Sequence, residues 1–257
     1  VGKRVVGDIN LGCGDCPACQ RGLTHHCPRR RGLGLLGHDG CLAEYLTLPL
    51  ANLLEVPPEV PDAFAVFTEP LAAALEILEQ VHLRPDSRVL IVGDGRLGLL
   101  TALVLRLQGC ELHLVGHHPR KLELARARGV KVLTGEQLPP AVFDVVIEAS
   151  GSPSGWQTAI RAVRPRGTIV LKSTIPEAVG LRPSDLVVPE ITVVGSRCGP
   201  MAPALRLLAR RLINPKKLIS RVYPLAEAVA ALYAAADPNL IKVLVEMPAY
   251  ETTVSGI

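Results

Sequence analysis

The chain has 257 residues, of which 48% are hydrophobic and 20% are charged, a composition typical of a globular protein with one large core or two modest domains. Its formal net charge is +4, and the run Arg29-Arg30-Arg31 is too short to indicate a nucleic-acid-binding face. Its apolar segments are interrupted by Gly, Arg or Pro before they reach the ~20 residues of a membrane span, so the sequence predicts a soluble, cytoplasmic protein.

The chain opens with short β-like runs over residues 3–9, 42–49 and 51–57, separated by Gly, Pro and a cysteine-rich loop. Runs of this length between turn residues predict part of an irregular β domain whose core is incomplete. The sequence begins with Val1 and not with Met, and its first β-like run starts only two residues later. We therefore expect a fragment of a longer protein.

Four cysteines in this region follow the spacing C-x2-C-x2-C-x7-C, at Cys13, Cys16, Cys19 and Cys27. Disulfides are one alternative, but cysteines three apart in one tight loop have poor geometry for bonding to each other. Four unrelated thiols are another. The spacing favours tetrahedral zinc bound by four thiolates. Because a closed shell of four sulfurs leaves no open coordination position, this zinc would be structural.

Apolar residues at helical spacing next predict a helix over 65–81 that links two domains. Strands and helices then alternate, and continuous apolar strands in this order predict an α/β fold with a doubly wound parallel sheet. The predicted strands cover 88–95, 111–116, 131–134, 143–150, 167–173 and 191–196, and the helices between them cover 97–109, 120–129 and 154–163. Helices over 203–212 and 226–236 and a strand over 241–247 are expected to return to the β domain.

The first strand of this series runs directly into Gly93-Asp94-Gly95-Arg96-Leu97-Gly98 and then a helix, so G-x-G-x-x-G stands between a strand and a helix. In that context Gly93 permits a tight turn, Gly95 lets the backbone approach a pyrophosphate, and Gly98 lets the helix pack on the strand. The alternative is a glycine turn without a ligand. We expect Asp94 to point outward, because a carboxylate near phosphates is unfavourable.

The next strand ends in Gly116, where dinucleotide-binding units usually carry an acid that accepts hydrogen bonds from the ribose. His117, His118, Arg120 and Lys121 follow it. The missing acid and the nearby cations favour NADP over NAD, because an acid would repel a ribose 2′-phosphate and cations would attract it. The alternative is that these basic side chains are ordinary surface residues.

The order of these parts resembles the zinc-containing medium-chain dehydrogenase/reductase superfamily, of the alcohol, sorbitol and threonine dehydrogenase type. GCGDCPACQRGLTHHC is similar to the structural-zinc lobe of that family, DGCLAEYL to the lead into its core strand, and FTEPLAAALEIL to its domain-linking helix. The resemblance covers essentially the whole chain. It implies a partial GroES-like catalytic domain over 1–69, a Rossmann domain over 70–196, and a segment over 197–257 that returns to the catalytic domain.

The resemblance also assigns roles to single residues. It implies that Gly93, Arg96, Leu97 and the neighbouring glycines bind the cofactor pyrophosphate, and that Lys242 contacts the cofactor phosphates. It implies that Ser150 and Gly151 border the nicotinamide. Glu69 matches a ligand of the catalytic zinc in this family, bound directly or through water; a carboxylate favoured by the dipole at a helix N-terminus is the alternative.

The catalytic-zinc Cys and His-Glu pair of the family lie upstream of the structural lobe, so we expect this sequence to lack that segment and to be catalytically impaired. Its parent is then expected to be a zinc-dependent alcohol dehydrogenase-like oxidoreductase, transferring hydride between NAD(P) and an alcohol or carbonyl compound. A nicotinamide-binding protein without dehydrogenase activity is the alternative. The resemblance further implies a homodimer or homotetramer formed through the strand over 191–196, and it leaves the substrate open.

Overall fold

The chain forms two compact units in the computed structural model, which describes residues 1–175 and 177–248. The first unit combines Val1–Glu55 with the C-terminal segment from Leu218, and the second unit comprises Val56–Lys217. Within the described residues, no helix combines the length and the apolar character needed to cross a bilayer.

The strands of the described residues are β1 (Val5–Gly7), β2 (Asn10–Leu11), β3 (Arg31–Leu33), β4 (Gly37–His38), β5 (Leu53–Glu55), β6 (Arg88–Val92), β7 (Glu111–Val115), β8 (Lys131–Leu133), β9 (Phe143–Glu148), β10 (Val163–Leu171), β11 (Thr192–Gly195), β12 (Ile219–Pro224) and β13 (Lys242–Glu246). The helices are α1 (Pro17–Gln20), α2 (Asp62–Ala65), α3 (Thr68–Gln80), α4 (Arg96–Leu105), α5 (Pro119–Arg126), α6 (Pro153–Ala162), α7 (Ser184–Val187), α8 (Met201–Ala209) and α9 (Ala228–Ala235). Short 3-10 helices cover Thr24–His26, Leu50–Asn52, Arg106–Gln108, Lys216–Leu218 and Leu225–Glu227.

The second unit contains a six-stranded sheet in the order β11-β10-β9-β6-β7-β8, with every neighbouring pair parallel. From β6 the chain winds outward through β7 and β8, and it then returns to β9 on the other side of β6. The winding direction therefore reverses between β6 and β9. The prediction of a doubly wound parallel sheet is confirmed, and ligands of such sheets bind at the carboxyl ends of the strands where this reversal occurs.

Apolar burial explains why these segments form central strands. Leu90 and Ile91 of β6 and Val146 and Ile147 of β9 are fully buried, as expected for strands that are covered by helices on both faces. On one side of the sheet, α6 contributes Trp156 to a cluster of buried apolar side chains. Because both faces are covered, the sheet is a rigid base for the loops at its edge.

Helix α3 belongs wholly to the second unit, where it packs against α4 and α8. Its inward face carries Leu71, Ala74 and Ile77, which are fully buried. The predicted domain boundaries, at 69/70 and 196/197, both lie inside the second unit. The compact unit extends past them because α3 is packed along its length and α8 packs against it.

The first unit is built from short pieces of sheet. β1 pairs antiparallel with β5, β2 and β3 pair antiparallel beside β4, and β12 pairs parallel with β13 across α9. Residues 42–49, predicted as a strand, form an irregular segment instead. Leu42, Tyr45 and Leu46 of that segment are exposed, so the alternating apolar pattern has no buried face here to stabilise a strand.

Candidate functional site

The four predicted metal ligands, Cys13, Cys16, Cys19 and Cys27, lie together in the first unit, with all four sulfurs within 4.8 Å of one another. The Sγ atoms of Cys16 and Cys27 are 3.8 Å apart, those of Cys13 and Cys27 are 3.4 Å apart, and those of Cys13 and Cys19 are 4.0 Å apart. Tetrahedral zinc with bonds of about 2.3 Å separates its sulfurs by about 3.8 Å. The cluster therefore has the dimensions of a zinc site, and its sulfur separations are far too long for disulfides.

Local turns bring these sulfurs together. Cys16 is the N-cap of α1, Pro17 is the first residue of that helix, and the backbone N–H of Cys19 donates to Cys16 Sγ over 3.5 Å. This hydrogen bond lowers the pKa of the Cys16 thiol to about 7. Gly14 has φ of +85°, a left-handed conformation that glycine adopts without strain. The glycine and proline positions in the sequence thus shape the loop around the thiols.

A polar network centred on Asp8 supports the cysteine loop. His25 Nε2 lies 2.8 Å from the carboxylate of Asp8, which also accepts from the backbone and side-chain N–H groups of Asn10. Burial raises the pKa of Asp8, but the hydrogen bonds from His25 and Asn10 outweigh it, so the net pKa lies below its ordinary value. Asn52 donates to the backbone oxygens of Asp8 and Asn10, which ties the start of β5 to the loop.

The glycine turn lies at the carboxyl end of β6, where the winding of the sheet reverses. Gly93 has φ of +111°, and a Cβ atom there would lie 2.7 Å from Ala149 O and from Ser150 Cα at the end of β9. A Cβ at Gly98 would overlap the carbonyl of Gly93. Both positions therefore require glycine, which matches the roles the motif assigned to them.

The remaining turn residues are open to a ligand. Gly95 is the N-cap of α4, and a Cβ there would meet no atom of the described residues within 4 Å. Arg96, the first residue of α4, is exposed, and Leu97 is half-buried. Because Gly95 has no side chain, the first N–H groups of this ten-residue helix face the turn uncapped by a side chain, as at anion-binding helix N-termini.

Ser150 and Gly151 follow β9 at the same edge of the sheet. Ser150 donates to Glu148 Oε1 through both its hydroxyl (2.5 Å) and its backbone N–H (2.8 Å), and the N–H of Gly151 donates to Ser173 Oγ (2.8 Å). Glu148 is fully buried, and its Oε2 has no hydrogen-bond partner among the residues that the structure describes. The hydrogen bond from Gly151 to Ser173 therefore joins the loops after β9 and β10 beside the glycine turn. Glu148 holds Ser150 within the first of these loops, a contact that no sequence pattern indicated.

Asp94 does not point outward, so that expectation is wrong. Its side chain is buried, and its Oδ2 accepts the backbone N–H groups of His117 (2.9 Å) and His118 (2.7 Å). His118 Nδ1 lies 3.0 Å from Oδ1. Burial raises the pKa of Asp94, but these hydrogen bonds outweigh it, so the net pKa is lowered. The three donors compensate the carboxylate for its loss of water.

The predicted basic residues after Gly116 differ in exposure. His117 and Arg120 are exposed and His118 is half-buried, whereas Lys121 in the first turn of α5 has only 5% of its surface exposed. The side chain of Lys121 is thus not the open surface cation that its place in the sequence suggested. Lys242, the other predicted phosphate contact, lies in β13 of the first unit.

Glu69 lies half-buried in the first turn of α3. The four cysteines are the only group of three or more neighbouring potential metal ligands in the described residues, so no second metal site surrounds Glu69 there. The same unit holds a buried cation that the sequence did not indicate: Lys172 donates to Ala73 O, Arg197 O and Ser196 Oγ over 2.6, 3.0 and 3.1 Å. Burial lowers the pKa of Lys172 to about 8, although nearby carboxylates, Glu69 among them, oppose this shift.

Comparison with known protein families gives two matches that together span most of the chain. Residues 97–212 match the model of the zinc-binding dehydrogenases, and residues 1–58 match the model of the alcohol dehydrogenase GroES-like domain. The first match begins within the glycine turn, and the second contains the four cysteines.

Individual relatives give the same picture. Sorbitol dehydrogenase of Halalkalibacterium halodurans is 29% identical over 95% of this chain and 76% of its own length. L-threonine 3-dehydrogenase of Edwardsiella ictaluri is 31% identical over 73% of this chain. A structure from Sinorhizobium meliloti 1021, described as a zinc-binding dehydrogenase bound to NADP, is 32% identical, with a TM-score of 0.88 over 95% of this chain and 76% of its own. This chain spans only 56% of the length of the threonine dehydrogenase.

Proposed function

Because this chain belongs to the zinc-binding dehydrogenases of the medium-chain dehydrogenase/reductase superfamily, we propose that the whole protein, with the upstream catalytic ligands expected above, is an oxidoreductase that transfers hydride between a nicotinamide dinucleotide and an alcohol or carbonyl compound. The second unit would bind the dinucleotide. The cysteine lobe of the first unit would bind a structural zinc. Two of the relatives take their names from a polyol and an amino acid, and compounds this different leave the substrate of this chain open.

The observation that carries this proposal is the glycine turn at the reversal of the sheet. Gly93 and Gly98 occupy positions that a Cβ atom would obstruct, and Gly95 leaves open space before the N-terminus of α4. Backbone N–H groups and the helix dipole there favour a pyrophosphate. A glycine turn that served only the fold would not need an open, uncapped helix N-terminus at this point.

The fit of zinc to the cysteine cluster supports a structural role. The sulfur separations of 3.4, 3.8 and 4.0 Å match four-sulfur coordination. Four thiolates fill a tetrahedral shell, so a bound substrate would find no open position on this metal. Zinc here would hold the loop of the first unit in place.

The cofactor supplies the hydride chemistry, and the chain binds and orients the cofactor and the substrate. The loops that carry Ser150 and Gly151 would border the nicotinamide, because both follow β9 at the edge where the glycine turn lies. Glu69 remains predicted to be a ligand of a catalytic zinc in the whole protein, bound directly or through water. Since no second metal site surrounds it in the described residues, the proposed chemistry assigns no step to a catalytic metal.

We further propose that NADP is preferred over NAD. No acid stands at Gly116, and His117, His118 and Arg120 provide exposed or half-exposed donors beside it. The similar structure from S. meliloti is bound to NADP, which supports this proposal. Lys121 contributes less than its sequence position suggested, since it is buried.

Coenzyme binding and metal content test the proposal directly. Purified protein should hold one zinc per chain and should quench or shift the fluorescence of NADPH on titration. Alcohol-dependent reduction of NADP+ by the whole protein, with the upstream ligands expected above, would then establish turnover, and Glu69→Gln in that protein should lower kcat while leaving the coenzyme Kd unchanged. Binding of NADPH by the whole protein without turnover on any alcohol or carbonyl would favour the nicotinamide-binding alternative. Absence of both coenzyme binding and tightly held zinc would overturn the proposal.

For assembly, we propose a homodimer or homotetramer in which β11 pairs with its copy. β11 is an edge strand of the six-stranded sheet, and Val193 on it is 37% exposed. Unpaired strand edges with apolar side chains favour such pairing. Light scattering on the wild type and on Val193→Lys should show a smaller particle for the variant.

A further inference from the structure

Asp94 occupies the space beside Gly116 that a side chain at the end of β7 would need. A Cβ atom built on Gly116 would lie 2.5 Å from the Asp94 carboxylate, well inside the closest approach of ordinary atoms. Every residue other than glycine at 116 would therefore displace Asp94. The acid of the glycine turn and an acid at the end of β7 exclude each other.

The exclusion of an acid at position 116 affects how the chain can bind the ribose of a dinucleotide. This inference rests on the function proposed above. In dinucleotide-binding sheets the acid at the end of the second strand accepts hydrogen bonds from the ribose hydroxyls. Asp94 places a carboxylate near the same point but faces the protein. Its Oδ2 accepts two backbone N–H groups, from His117 and His118, and its Oδ1 faces the ring of His118.

At the end of β7, the Asp94 carboxylate is buried and engaged by protein donors. A carboxylate has about four lone-pair sites, and its neighbours here are backbone N–H donors and a ring nitrogen. His118 is also the N-cap of α5 and is fixed through Nδ1, so Nε2 is the ring atom left to bind a ligand. With Nδ1–H turned to Asp94, Nε2 can donate only when both ring nitrogens carry a proton, a form that an anionic phosphate oxygen at Nε2 stabilises, whereas a ribose hydroxyl would gain no carboxylate acceptor.

We propose that Asp94 is a positioning residue for coenzyme selection: by filling the place of the strand-end acid and fixing the His117-His118 turn, it directs ring and guanidinium donors to a ribose 2′-phosphate. Asp94 itself does not touch the phosphate. Arg120, exposed in the first turn of α5, supplies a second donor of the same kind. The acid inside the glycine turn thus serves the selection of NADP, although it looks unfavourable in the sequence.

Three variants of Asp94, one of them combined with a substitution at Gly116, test this role, with the Kd values of NADPH and NADH measured by fluorescence titration. Asp94→Ala removes all the contacts and should weaken NADPH at least about tenfold, as expected for loss of an oriented charge-assisted contact, with NADH changed less than about threefold. Asp94→Asn can keep both backbone bonds through its amide oxygen but cannot offer a charged acceptor to His118 Nδ1. It should weaken NADPH by less than Asp94→Ala and leave NADH unchanged.

The third variant moves the acid. Asp94→Ala combined with Gly116→Asp frees the space beside β7 and places a carboxylate where it can accept from ribose hydroxyls. It should reverse the coenzyme preference. Gly116→Asp alone should lower the melting temperature, because two carboxylates would compete for one space, and adding Asp94→Ala should restore it. Asp86→Ala, which removes an exposed carboxylate before β6, is the control and should change neither Kd.

Specific outcomes would overturn the role of Asp94. Equal weakening of both coenzymes in Asp94→Ala and Asp94→Asn would mean that the residue only stabilises the turn. Weakening of NADH alone would mean that Asp94 accepts from the ribose itself. If the wild type binds NADH as tightly as NADPH, the inference fails while the proposed dehydrogenase function stands. If the wild type binds neither coenzyme, the proposed function fails first.

Discussion

The two compact units of this chain achieve stability in different ways. In the second unit, Leu90, Ile91 and Ile147 lie in parallel strands and are fully buried, so a packed apolar core holds the sheet. In the first unit, β2 and β4 have two residues each, and large apolar side chains such as Leu50 and Tyr45 are 85% and 72% exposed. The cysteine loop therefore depends on its thiol cluster more than on a hydrophobic core.

Removal of the metal should separate the behaviour of the two units most strongly. Structural zinc contributes about 10–16 kcal/mol of apparent binding free energy in zinc-finger peptides, which is comparable to the whole stability of a domain. We therefore expect Cys16→Ser, or a strong chelator, to unfold residues 10–33 while the parallel sheet stays folded. Hydrogen exchange followed by mass spectrometry should show fast exchange in peptides of the cysteine loop and unchanged protection in β6 and β9.

The control for this experiment is Cys41→Ser, because Cys41 is exposed and outside the cluster. It should alter neither zinc content nor exchange. Loss of protection in β6 together with the cysteine loop would show that the two units unfold as one. Unchanged exchange in Cys16→Ser would show that packing alone holds the loop.

The second largest loss of stability is expected when a core side chain of the second unit is truncated. Leu90→Ala in β6 removes a fully buried side chain, and such substitutions cost about 2–5 kcal/mol through lost burial and a residual cavity. Leu212→Ala, at a position that is 48% exposed, should cost less than about 1 kcal/mol. Urea unfolding monitored at Trp156 should resolve the difference. Equal effects of the two substitutions would contradict the view that this unit rests on its core.

Sequence patterns predicted much of this architecture because the relevant signals are local. The six parallel strands were predicted from continuous apolar runs separated by helices, and the cysteine cluster from the spacing within one loop. The short elements of the first unit, such as β3 and β12, were not predicted, because strands of a few residues without a buried face carry little periodicity. The predicted strand over 42–49 was wrong because its alternating apolar residues have no buried face to pack against in the described residues.

The polar contacts of the candidate site could not be predicted, because they join residues that are distant in sequence. Lys172 donates to the carbonyl of Ala73, 99 residues away. The sequence around Lys172, residues 171–174, gives no sign that this lysine is buried. Asp94 was expected to face solvent because a carboxylate near phosphates is unfavourable. Its partners are the backbone N–H groups of His117 and His118, and no sequence pattern reports on a backbone donor.

The buried side chain of Lys172 should make the free energy of unfolding of the second unit depend on alkaline pH. Burial lowers the pKa of Lys172 from 10.5 to about 8, so the folded state binds fewer protons than the unfolded state between these values. The free energy of unfolding should therefore rise with pH from about 8 to 10.5, by at most about 3 kcal/mol for such a shift. Urea unfolding of the wild type at about pH 8 and about pH 10 measures this rise.

Lys172→Met tests whether the rise belongs to this side chain. The variant should lose the pH dependence, although it leaves the acceptors Ala73 O and Arg197 O without their donor and should be less stable at alkaline pH. Lys131→Met, which removes a lysine that is largely exposed, is the matched control and should keep the slope. A slope that persists in Lys172→Met would assign the effect to another group.

The smallest expected effect concerns the polar network beside the cysteine loop. The pKa of Asp8 lies below its ordinary value of 3.8, because the hydrogen bonds from His25 and Asn10 outweigh burial. A carboxylate with a lowered folded-state pKa stabilises the fold fully above its ordinary pKa and loses this contribution as pH falls through the folded-state value. Asp8→Asn should therefore lower the stability of the first unit at neutral pH by about 1 kcal/mol, seen as faster zinc release to a chelator with unfolding of the second unit unchanged. Asp39→Asn, at an exposed site in the same unit, is the control and should release zinc at the wild-type rate. If Asp8→Asn also releases zinc at the wild-type rate, the thiol cluster holds the loop without help from its polar neighbours.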